Sequence, residues 1–285
     1  MVHEAASEGT ECMTGSALDD AFLCVEAEVE ESEPRAIARG EAVVWSSRCP
    51  GKTTPNEDAA ALVPTIEGGG VLIVADGMGG GPAGEQASGI AIRAMAHSVE
   101  EAVRAGDLVR SAILNAFDKA NDDILALGVG AGTTLALVEI QDHSVRPYHV
   151  GDSMILLVGQ RGRLKLQSIS HSPVGYAVEA GVLDETEALH HEARHLVSNM
   201  LGSADMRIEL GAPISMARRD TLLLATDGLF DNLRTDEIVQ IVRTGRLARA
   251  SKRLVDLARS RMTEPRADEP SKPDDLTFLL YRRRD

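Results

Sequence analysis

Residues 134–168, TLALVEIQDHSVRPYHVGDSMILLVGQRGRLKLQS, contain four short apolar runs that are separated by turns. The runs are Thr134–Ile140, Val145–Val150, Met154–Val158 and Leu164–Ser168, and each turn between them has at most five residues. Parallel neighbours in a sheet need a connection of about a dozen or more residues, so these runs must pair antiparallel. The stretch therefore predicts a four-stranded antiparallel meander.

Helices and strands fall into separate blocks on both sides of this stretch. Apolar residues recur at helical spacing from Ala83 to Ala105, a second helical stretch reaches Leu127, and two more occupy 235–262. Further strands are predicted at 43–45, 58–63, 71–75, 207–210, 221–226 and 276–281. Because strands and helices are segregated rather than strictly alternating, the sequence predicts an α+β domain in which helices cover antiparallel sheet.

Length and composition limit the class of protein. The chain has 285 residues, of which 44% are hydrophobic, and this is enough material for a sizeable core. Its longest apolar runs, such as Val71–Ala75, are far shorter than the roughly 18 residues of a membrane-spanning helix. The first residues lack the basic and apolar regions of a secretory signal, and three cysteines give no disulfide framework or Cys-rich zinc site. We therefore expect a cytoplasmic protein that does not enter the membrane.

The net charge of −15 is concentrated at one end of the chain. Residues 1–34 hold ten Asp and Glu and no Lys or Arg, whereas the remaining residues hold 34 acidic and 29 basic side chains. Since residues 1–35 also lack a sustained hydrophobic period, we expect them to form an acidic, disordered tail, followed by one domain over 36–285. No basic patch of the kind that nucleic acid requires is present, so no nucleic-acid partner is expected.

Acidic residues stand at the ends of five predicted strands. Asp76, Asp152 and Asp227 follow apolar runs, whereas Glu57-Asp58 and Asp274-Asp275 stand at the start of others. A single Asp-Gly after a strand is more often a tight turn, because Asp favours turn starts and Gly tolerates a positive φ. Five such sites in one chain instead indicate that strands deliver carboxylates to a shared cleft.

A cleft of this kind requires cations, because six or more carboxylates would repel one another at neutral pH. Oxygen ligands without a His or Cys cluster favour Mg²⁺ or Mn²⁺ over zinc. Two such ions about 3.5–4 Å apart bridge a water, lower its pKa and present it as hydroxide to a phosphorus centre. The pattern favours a metal-dependent phosphate-ester hydrolase, and neither a P-loop nor a kinase signature is present.

Seven motifs occur in order along the chain. They are Pro55–Asp58, Val74–Gly80, Gly84-Glu85, Gly132–Thr134, His149–Ser153, Ala225–Asp231 and Pro273–Thr277. This set resembles the bacterial branch of the PP2C-like (PPM) family of metal-dependent protein serine/threonine phosphatases. The resemblance implies an αββα sandwich of two antiparallel β-sheets flanked by helices. It also implies hydrolysis of phosphoserine and phosphothreonine by a hydroxide that bridges two Mn²⁺ or Mg²⁺ ions, with a third ion in bacterial members.

The resemblance assigns roles to matching positions. The implied metal ligands are Glu57, Asp58, Asp76, Gly77, Asp152, Asp227 and Asp274. Asp76 would bridge two ions and Asp227 and Asp274 would complete one of them, so these three form the implied catalytic centre. Glu57 and Asp58 would hold the other ion, largely through its waters. Asp152 would form the third metal site together with Asp227.

Three positions depart from the family pattern. Thr53 stands where many relatives have an Arg that grips the substrate phosphate, and Lys52 or Arg48 is expected to take its place. Asp275 stands where many relatives have Asn, and either side chain could orient a metal-bound water. Met154 follows Gly-Asp-Ser in place of an Arg, a change that we expect to affect packing or a surface pair rather than chemistry.

The segment 172–198 resembles the flap that lies next to the active site in this family. Its histidines, His190, His191 and His195, titrate near neutrality and could act as general acids. We favour the interpretation that they are exposed or cap a flap helix. Relatives with a histidine acid carry it directly after Asp-Gly, where this chain has Met78, so a metal-bound water is the simpler proton donor.

One other function remains open. Thr53 in place of Arg is compatible with a low-turnover phosphoprotein-binding or regulatory module that keeps the fold. A two-metal nuclease would need the basic patch that is missing here. Under the favoured interpretation, the partner is a phosphoprotein substrate and the chain is a monomer that opposes a serine/threonine kinase.

Overall fold

The computed structural model describes residues 21–31, 33–78, 83–267 and 269–284, and all structural statements below concern these residues. The strands are β1 Phe22–Cys24, β2 Arg35–Ile37, β3 Gly40–Ser47, β4 Asp58–Pro64, β5 Gly70–Met78, β6 Gly132–Thr133, β7 Leu135–Gln141, β8 Ser144–Val150, β9 Met154–Val158, β10 Leu164–Gln167, β11 Glu209–Leu210, β12 Ile214–Ser215, β13 Thr221–Ala225 and β14 Leu276–Arg283. The helices are α1 Ala83–Ala105, α2 Val109–Leu125, α3 Pro173–Glu179, α4 Glu185–Leu189, α5 Asp227–Phe230, α6 Thr235–Val242 and α7 Leu247–Thr263, with 3₁₀ turns at Ile66–Gly68 and Glu192–His195.

The strands form two antiparallel sheets. The order in the first sheet is β1-β4-β5-β7-β8-β11, with β6 beside β5 and β12 beside β8. The order in the second sheet is β10-β9-β13-β14-β3-β2. The predicted helices over 83–105 and 235–262 are confirmed as α1, α6 and α7. None of the helices within the described ranges combines the length and the hydropathy that a membrane crossing requires.

Three buried layers of apolar side chains hold the four structural layers together. Phe117 of α2 packs with Ile73 of β5 between the helix pair and the first sheet. Leu72 and Leu279 belong to the core between the two sheets. Leu254 of α7 belongs to the third core, which joins α6 and α7 to the second sheet. The expected α+β fold, an αββα sandwich, is confirmed.

Central strands read as continuous apolar runs because both of their faces are buried. Along Val71–Ala75, alternate side chains face opposite sides, so Ile73 points to the helices and Leu72 to the facing sheet. The same run then continues into Asp76 at the end of the sheet. The strand that supplies the core thus also positions a carboxylate.

The four runs of residues 134–168 form two hairpins in different sheets, so the prediction of one meander is wrong. β7 pairs with β8 in the first sheet, and β9 pairs with β10 in the second. The chain changes sheets at Gly151–Ser153, where Gly151 has a φ of +102°. A short turn excludes parallel pairing, but it also allows the chain to turn a corner into the facing sheet. Asp152, which lies at this corner, is buried.

Part of the predicted tail is folded, so the boundary at residue 35 is wrong. β1 pairs with β4, and its residues Phe22 and Cys24 are buried in the core between the sheets. β2, which begins at Arg35, pairs with β3. Strands of three residues are too short to show a period, and they are stabilised by the neighbouring strand instead. Residues 1–20 lie outside the described residues, and for them the acidic, disordered tail stays a prediction.

Candidate metal centre

Acidic residues from both sheets meet at one end of the sandwich. Asp58 at the start of β4 is the direct register partner of Asp76 near the end of β5. In the second sheet, β13 ends and the antiparallel β14 begins at the same end, and Asp227 and Asp274 flank these two strands. The hydroxyl of Thr226 donates a hydrogen bond to Asp58 Oδ2 at 2.9 Å, which joins the two sheets. The strands thus bring these predicted residues together.

Burial and mutual repulsion raise the pKa values of these carboxyls. The pKa values of Asp58 and Asp76 lie well above the usual range, first because of burial and then because of neighbouring carboxylates. Burial and the charge of Asp227 also raise the pKa of Asp152 to about 8. The same two causes raise the pKa of Asp274 to about 6. Such crowded oxygen donors repel one another, and a hard divalent cation bound among them relieves that repulsion.

Two further observations fit a metal centre. Glu85 Oε2 is buried and has no hydrogen-bond partner, and Asp231 Oδ2 is buried with an ion pair to Lys272 Nζ at 2.9 Å but no hydrogen bond. Gly77 approaches Gly84 so closely that an added Cβ at Gly77 would lie 2.0 Å from the Gly84 carbonyl oxygen. The bare backbone at Gly77 therefore fits tightly beside Glu57, whose carbonyl accepts a hydrogen bond from Gly77 N at 3.1 Å. The donor set and the close packing are compatible with divalent ions.

Asp275 is the centre of a hydrogen-bond network at one side of the site. It accepts hydrogen bonds from the backbone N–H groups of Cys49 and Glu57, both at 2.8 Å. Lys52 Nζ lies 2.6 Å from Asp275 Oδ2 and 2.7 Å from Glu57 Oε2. Burial alone would lower the pKa of Lys52, but its bonds to Asp275 and Glu57 raise it to about 12. Asp275 therefore holds the loop that carries Glu57.

Lys272 lies among the carboxylates, although sequence reasoning assigned it no role. Its Nζ atom is 2.5 Å from Asp227 Oδ2, 2.9 Å from Asp231 Oδ2 and 3.1 Å from Asp274 Oδ2. Burial opposes its charge, but these three carboxylates raise the pKa of Lys272 above the usual range. The only sequence signal for a role of Lys272 in the site is its position two residues before Asp274. A lysine in a Pro-rich loop does not otherwise indicate such a role.

The remaining predicted residues lie around this centre. Arg48 forms an ion pair with Glu28, and Thr53 is exposed. Met154 packs against the core of the second sheet, which confirms its expected role in packing.

The flap histidines are exposed. His191 Nδ1 accepts a hydrogen bond from Ala193 N at 3.1 Å and caps a 3₁₀ turn. These contacts confirm the favoured interpretation of the flap histidines as exposed or capping side chains.

The flap consists of α3, α4 and the second 3₁₀ turn. It covers a cavity of about 350 Å³ that reaches Asp152 and Asp227. Apolar side chains of the flap, among them Val174, Val178 and Leu189, line the other side of this cavity. The expected position of the segment beside the acidic residues therefore agrees with the structure.

A second cluster of potential metal ligands supports the corner between the sheets. His149, His171 and Glu209 offer ligand atoms that all lie within 4.8 Å of one another. His171 Nδ1 accepts a hydrogen bond from Gly151 N at 3.1 Å, and its Nε2 lies 3.0 Å from Glu209 Oε2. His149 Nε2 lies 2.8 Å from a backbone carbonyl oxygen. Because these ring nitrogens already have hydrogen-bond partners, we interpret the cluster as a support for the turn that carries Asp152.

In the presence of a chelator, we expect the free energy of unfolding to fall as the pH rises from 6.5 to 8. A carboxyl group whose pKa is raised by folding binds its proton more tightly in the folded state, so its contribution is lost as the pH rises through the folded pKa. Asp152, with a pKa of about 8, titrates in this window. The expected loss is about 1 kcal/mol, or about 2–4 °C in Tm.

Thermal unfolding in EDTA at pH 6.5 and 8 measures this dependence. Burial lowers the pKa of His149, and the loss of its proton in the unfolded state at about pH 6.5 therefore gives a smaller, opposite slope at the lower end of this window. Asp152→Asn is the matched variant and should flatten the slope. A wild-type Tm that rises from pH 6.5 to 8 would contradict the prediction.

The fold and the site together define a class of protein, an αββα sandwich with a cluster of buried aspartates at one end. A protein-family model described as "Protein phosphatase 2C" matches residues 47–263. This match covers more than half of the chain, and the chain therefore belongs to the protein phosphatase 2C family.

Known relatives agree with this assignment. A putative protein phosphatase 2C-type of Streptococcus pyogenes is 30% identical over 218 residues, which cover 74% of this chain and 88% of the relative. The serine/threonine protein phosphatase PstP of Mycobacterium tuberculosis is 31% identical over 210 residues, which cover 71% of this chain and 39% of PstP.

Solved structures of bacterial phosphatases are also similar. The Streptococcus agalactiae serine/threonine phosphatase has a TM-score of 0.71 at 26% identity, covering 85% of this chain and 99% of that one. The catalytic domain of PstP in complex with two manganese ions has a TM-score of 0.66 at 25% identity, covering 85% of this chain and 96% of that one.

Proposed function

We propose that this chain hydrolyses phosphoserine and phosphothreonine in proteins, using a hydroxide held between two Mn²⁺ or Mg²⁺ ions. The observation that carries the proposal is the convergence of carboxylates from both sheets, joined by the 2.9 Å hydrogen bond from Thr226 to Asp58. The raised pKa values of Asp58 and Asp76 support it, because they reflect buried carboxyl groups that are crowded together. The relatives that are named as serine/threonine phosphatases support the substrate class.

The proposed ligands divide by their place in the fold. Asp76, Asp227 and Asp274 would hold one ion, Asp76 would be shared with the second ion, and the Gly77 carbonyl would be a neighbouring ligand. Glu57 and Asp58 would face the second ion, and Asp152 with Asp227 would form a third position. When bound, these ions supply an activated water and neutralise charge on the phosphate, which is what in-line attack at phosphorus requires. The PstP complex with two manganese ions supports the first two of these three ion positions.

The other residues of the site hold these ligands in place. Thr134 Oγ1 accepts a hydrogen bond from Asp76 N at 3.0 Å and lies 2.7 Å from Ser153 Oγ. Asn56 Oδ1 accepts a hydrogen bond from Asp58 N at 3.1 Å. Such contacts fix the carboxylates before substrate binds. The activation free energy then includes a smaller cost for orienting them.

Phosphate release from synthetic phosphopeptides tests the proposed function. With Mn²⁺, we expect release from phosphoserine and phosphothreonine peptides, and with EDTA we expect none. A phosphotyrosine peptide of the same sequence separates the substrate classes. Calorimetric titration with Mn²⁺ is run in parallel. Metal binding without turnover of any peptide would reject the hydrolase and support the alternative below.

The alternative is a phosphoprotein-binding or regulatory module with low turnover. The observation that favours it is Thr53, which is exposed and stands in place of a phosphate-binding Arg. The metal ligands argue for the enzyme, since all their positions are filled by residues that can coordinate a metal. The turnover assay decides between the two functions.

We propose that Lys52, rather than Arg48, contacts the substrate phosphate. Lys52 Nζ lies 2.7 Å from Glu57, a proposed metal ligand, whereas the partner of Arg48 is Glu28, which is not one of the proposed ligands. Lys52→Ala is expected to raise KM for a phosphopeptide about tenfold, since a hydrogen bond to a charged group is worth about 1.5–3 kcal/mol. Steady-state kinetics with Mn²⁺ measures this change. Arg48→Ala is the matched variant and should stay within about twofold, and the reverse ranking would contradict the assignment.

The cellular setting follows from the same proposal. We place the chain in the cytoplasm, as a monomer that removes phosphate from proteins modified by a serine/threonine kinase. Comparing the phosphoproteome of cells with and without the gene would identify the substrates.

A further inference from the structure

Lys272 is fixed by contacts to its backbone. The buried side chain of Asn232 accepts a hydrogen bond from Lys272 N at 2.9 Å and donates one to Lys272 O at 2.8 Å. Asn232 is itself held in place. Its side-chain amide donates a hydrogen bond to Gly228 O at 2.9 Å, and its backbone carbonyl accepts one from Arg261 Nη1 at 2.7 Å. These contacts fix the point from which the lysine side chain extends.

The ammonium group of Lys272 occupies the space between three carboxylates. Its Nζ atom contacts the Oδ2 atoms of Asp227, Asp231 and Asp274 within 3.1 Å. Two of these residues, Asp227 and Asp274, are proposed metal ligands. The lysine side chain is 23% exposed, so it has a path to solvent.

A divalent ion and this ammonium would compete for the same Oδ2 atoms. Mg²⁺ binds carboxylate oxygen at about 2.0–2.1 Å, inside the region that Nζ fills. Two cations at this separation also repel each other strongly in a partly buried site. Metal bound through the Oδ2 atoms of Asp227 and Asp274 therefore requires the lysine side chain to move away.

We propose that Lys272 is an internal cation that competes with the divalent ion for Asp227 and Asp274. The inference rests on the proposed function, because it assumes that these aspartates bind metal. The lysine neutralises the carboxylates when no ion is bound. It weakens metal binding because its ion pairs with Asp227 and Asp274 must break before the metal can bind. Metal uptake is thereby coupled to the release of a lysine at the edge of the site.

Calorimetric titration with Mn²⁺ tests the competition in the full chain. Lys272→Gln removes the charge and is expected to bind Mn²⁺ at least about tenfold more tightly, because a single charge at this distance is worth more than that factor in a partly buried site. Lys272→Arg keeps the charge and should stay closer to wild type. Lys119→Gln, which removes an exposed lysine of α2 that pairs with Asp123, is the control and should not change the affinity.

A second measurement on the wild type avoids any loss of folding in a variant. Acetylation of lysines, followed by mass spectrometry, should find Lys272 protected in EDTA and reactive with saturating Mn²⁺, whereas Lys119 should react equally in both. Equal Mn²⁺ affinity of wild type and Lys272→Gln, or Lys272 protection that Mn²⁺ does not change, would overturn the inference alone. Absence of Mn²⁺ binding in wild type and in all variants would overturn the proposed function as well.

Discussion

Asp76→Asn is expected to lower kcat/KM for a phosphopeptide by about 10³-fold or more in the presence of Mn²⁺. A metal ion contributes several kcal/mol of transition-state stabilisation, and each 1.4 kcal/mol is about a tenfold change in rate. Asp76 is the carboxylate that the proposal shares between two ions, so its loss affects both. Phosphate release at saturating Mn²⁺ measures the effect, and calorimetry should show weaker Mn²⁺ binding.

The same substitution is expected to stabilise the protein in EDTA. The pKa of Asp76 lies well above its usual range because of burial and neighbouring carboxylates, so its charge is unfavourable in the folded state. Asn removes that charge, and Tm in EDTA at pH 8 should rise. Asp123→Asn changes an exposed aspartate of α2 and serves as the control for both measurements. An active Asp76→Asn enzyme with unchanged Mn²⁺ affinity would contradict the metal assignment.

Gly228→Ala is expected to reduce both stability and activity. An added Cβ at Gly228 would lie 1.8 Å from the carbonyl oxygen of Asp275, so α5 and the start of β14 must separate. We expect a destabilisation of about 1–3 kcal/mol from overpacking. The shift also separates Asp227 from Asp274, and a misplacement of about 1 Å costs roughly 10²-fold in rate. Chemical denaturation and turnover with Mn²⁺ measure the two effects.

Gly159→Ala is the matched control for this experiment. Gly159 follows β9, and an added Cβ there would come no closer than 3.4 Å to a neighbouring atom. Its stability and turnover should remain near the wild-type values. Wild-type activity in Gly228→Ala would show that the approach of Asp227 to Asp274 is not required.

Much of the fold could be predicted from local pattern. The strand from Met154 to Val158 and the helix from Ala83 to Ala105 have the predicted bounds, because their apolar residues follow a clear run or period. The pairing of strands was harder to predict. A short turn such as Gly151–Ser153 can join two neighbouring strands of one sheet, or it can lead the chain into the facing sheet. β1 could not be predicted, because three residues show no period and its stability comes from β4.

The acidic residues of the site could be located from the sequence, but their supporting contacts could not. Asp76 and Asp227 are marked by the apolar run before each of them and the glycine after it. Lys272 and Asn232 are 40 residues apart, and nothing in the local pattern of either residue indicates the contact. That contact depends on the packing of a loop against a helix, which only tertiary structure reveals.

β1 has a practical consequence for shortening this protein. A version that starts at residue 36, a boundary chosen from the acidic composition alone, would lack Phe22 and Cys24, which belong to the core between the sheets. It would also convert β4 into an open edge strand, whose unpaired N–H and C=O groups are a template for aggregation between molecules. A shortened version therefore keeps its solubility only if it begins before Phe22.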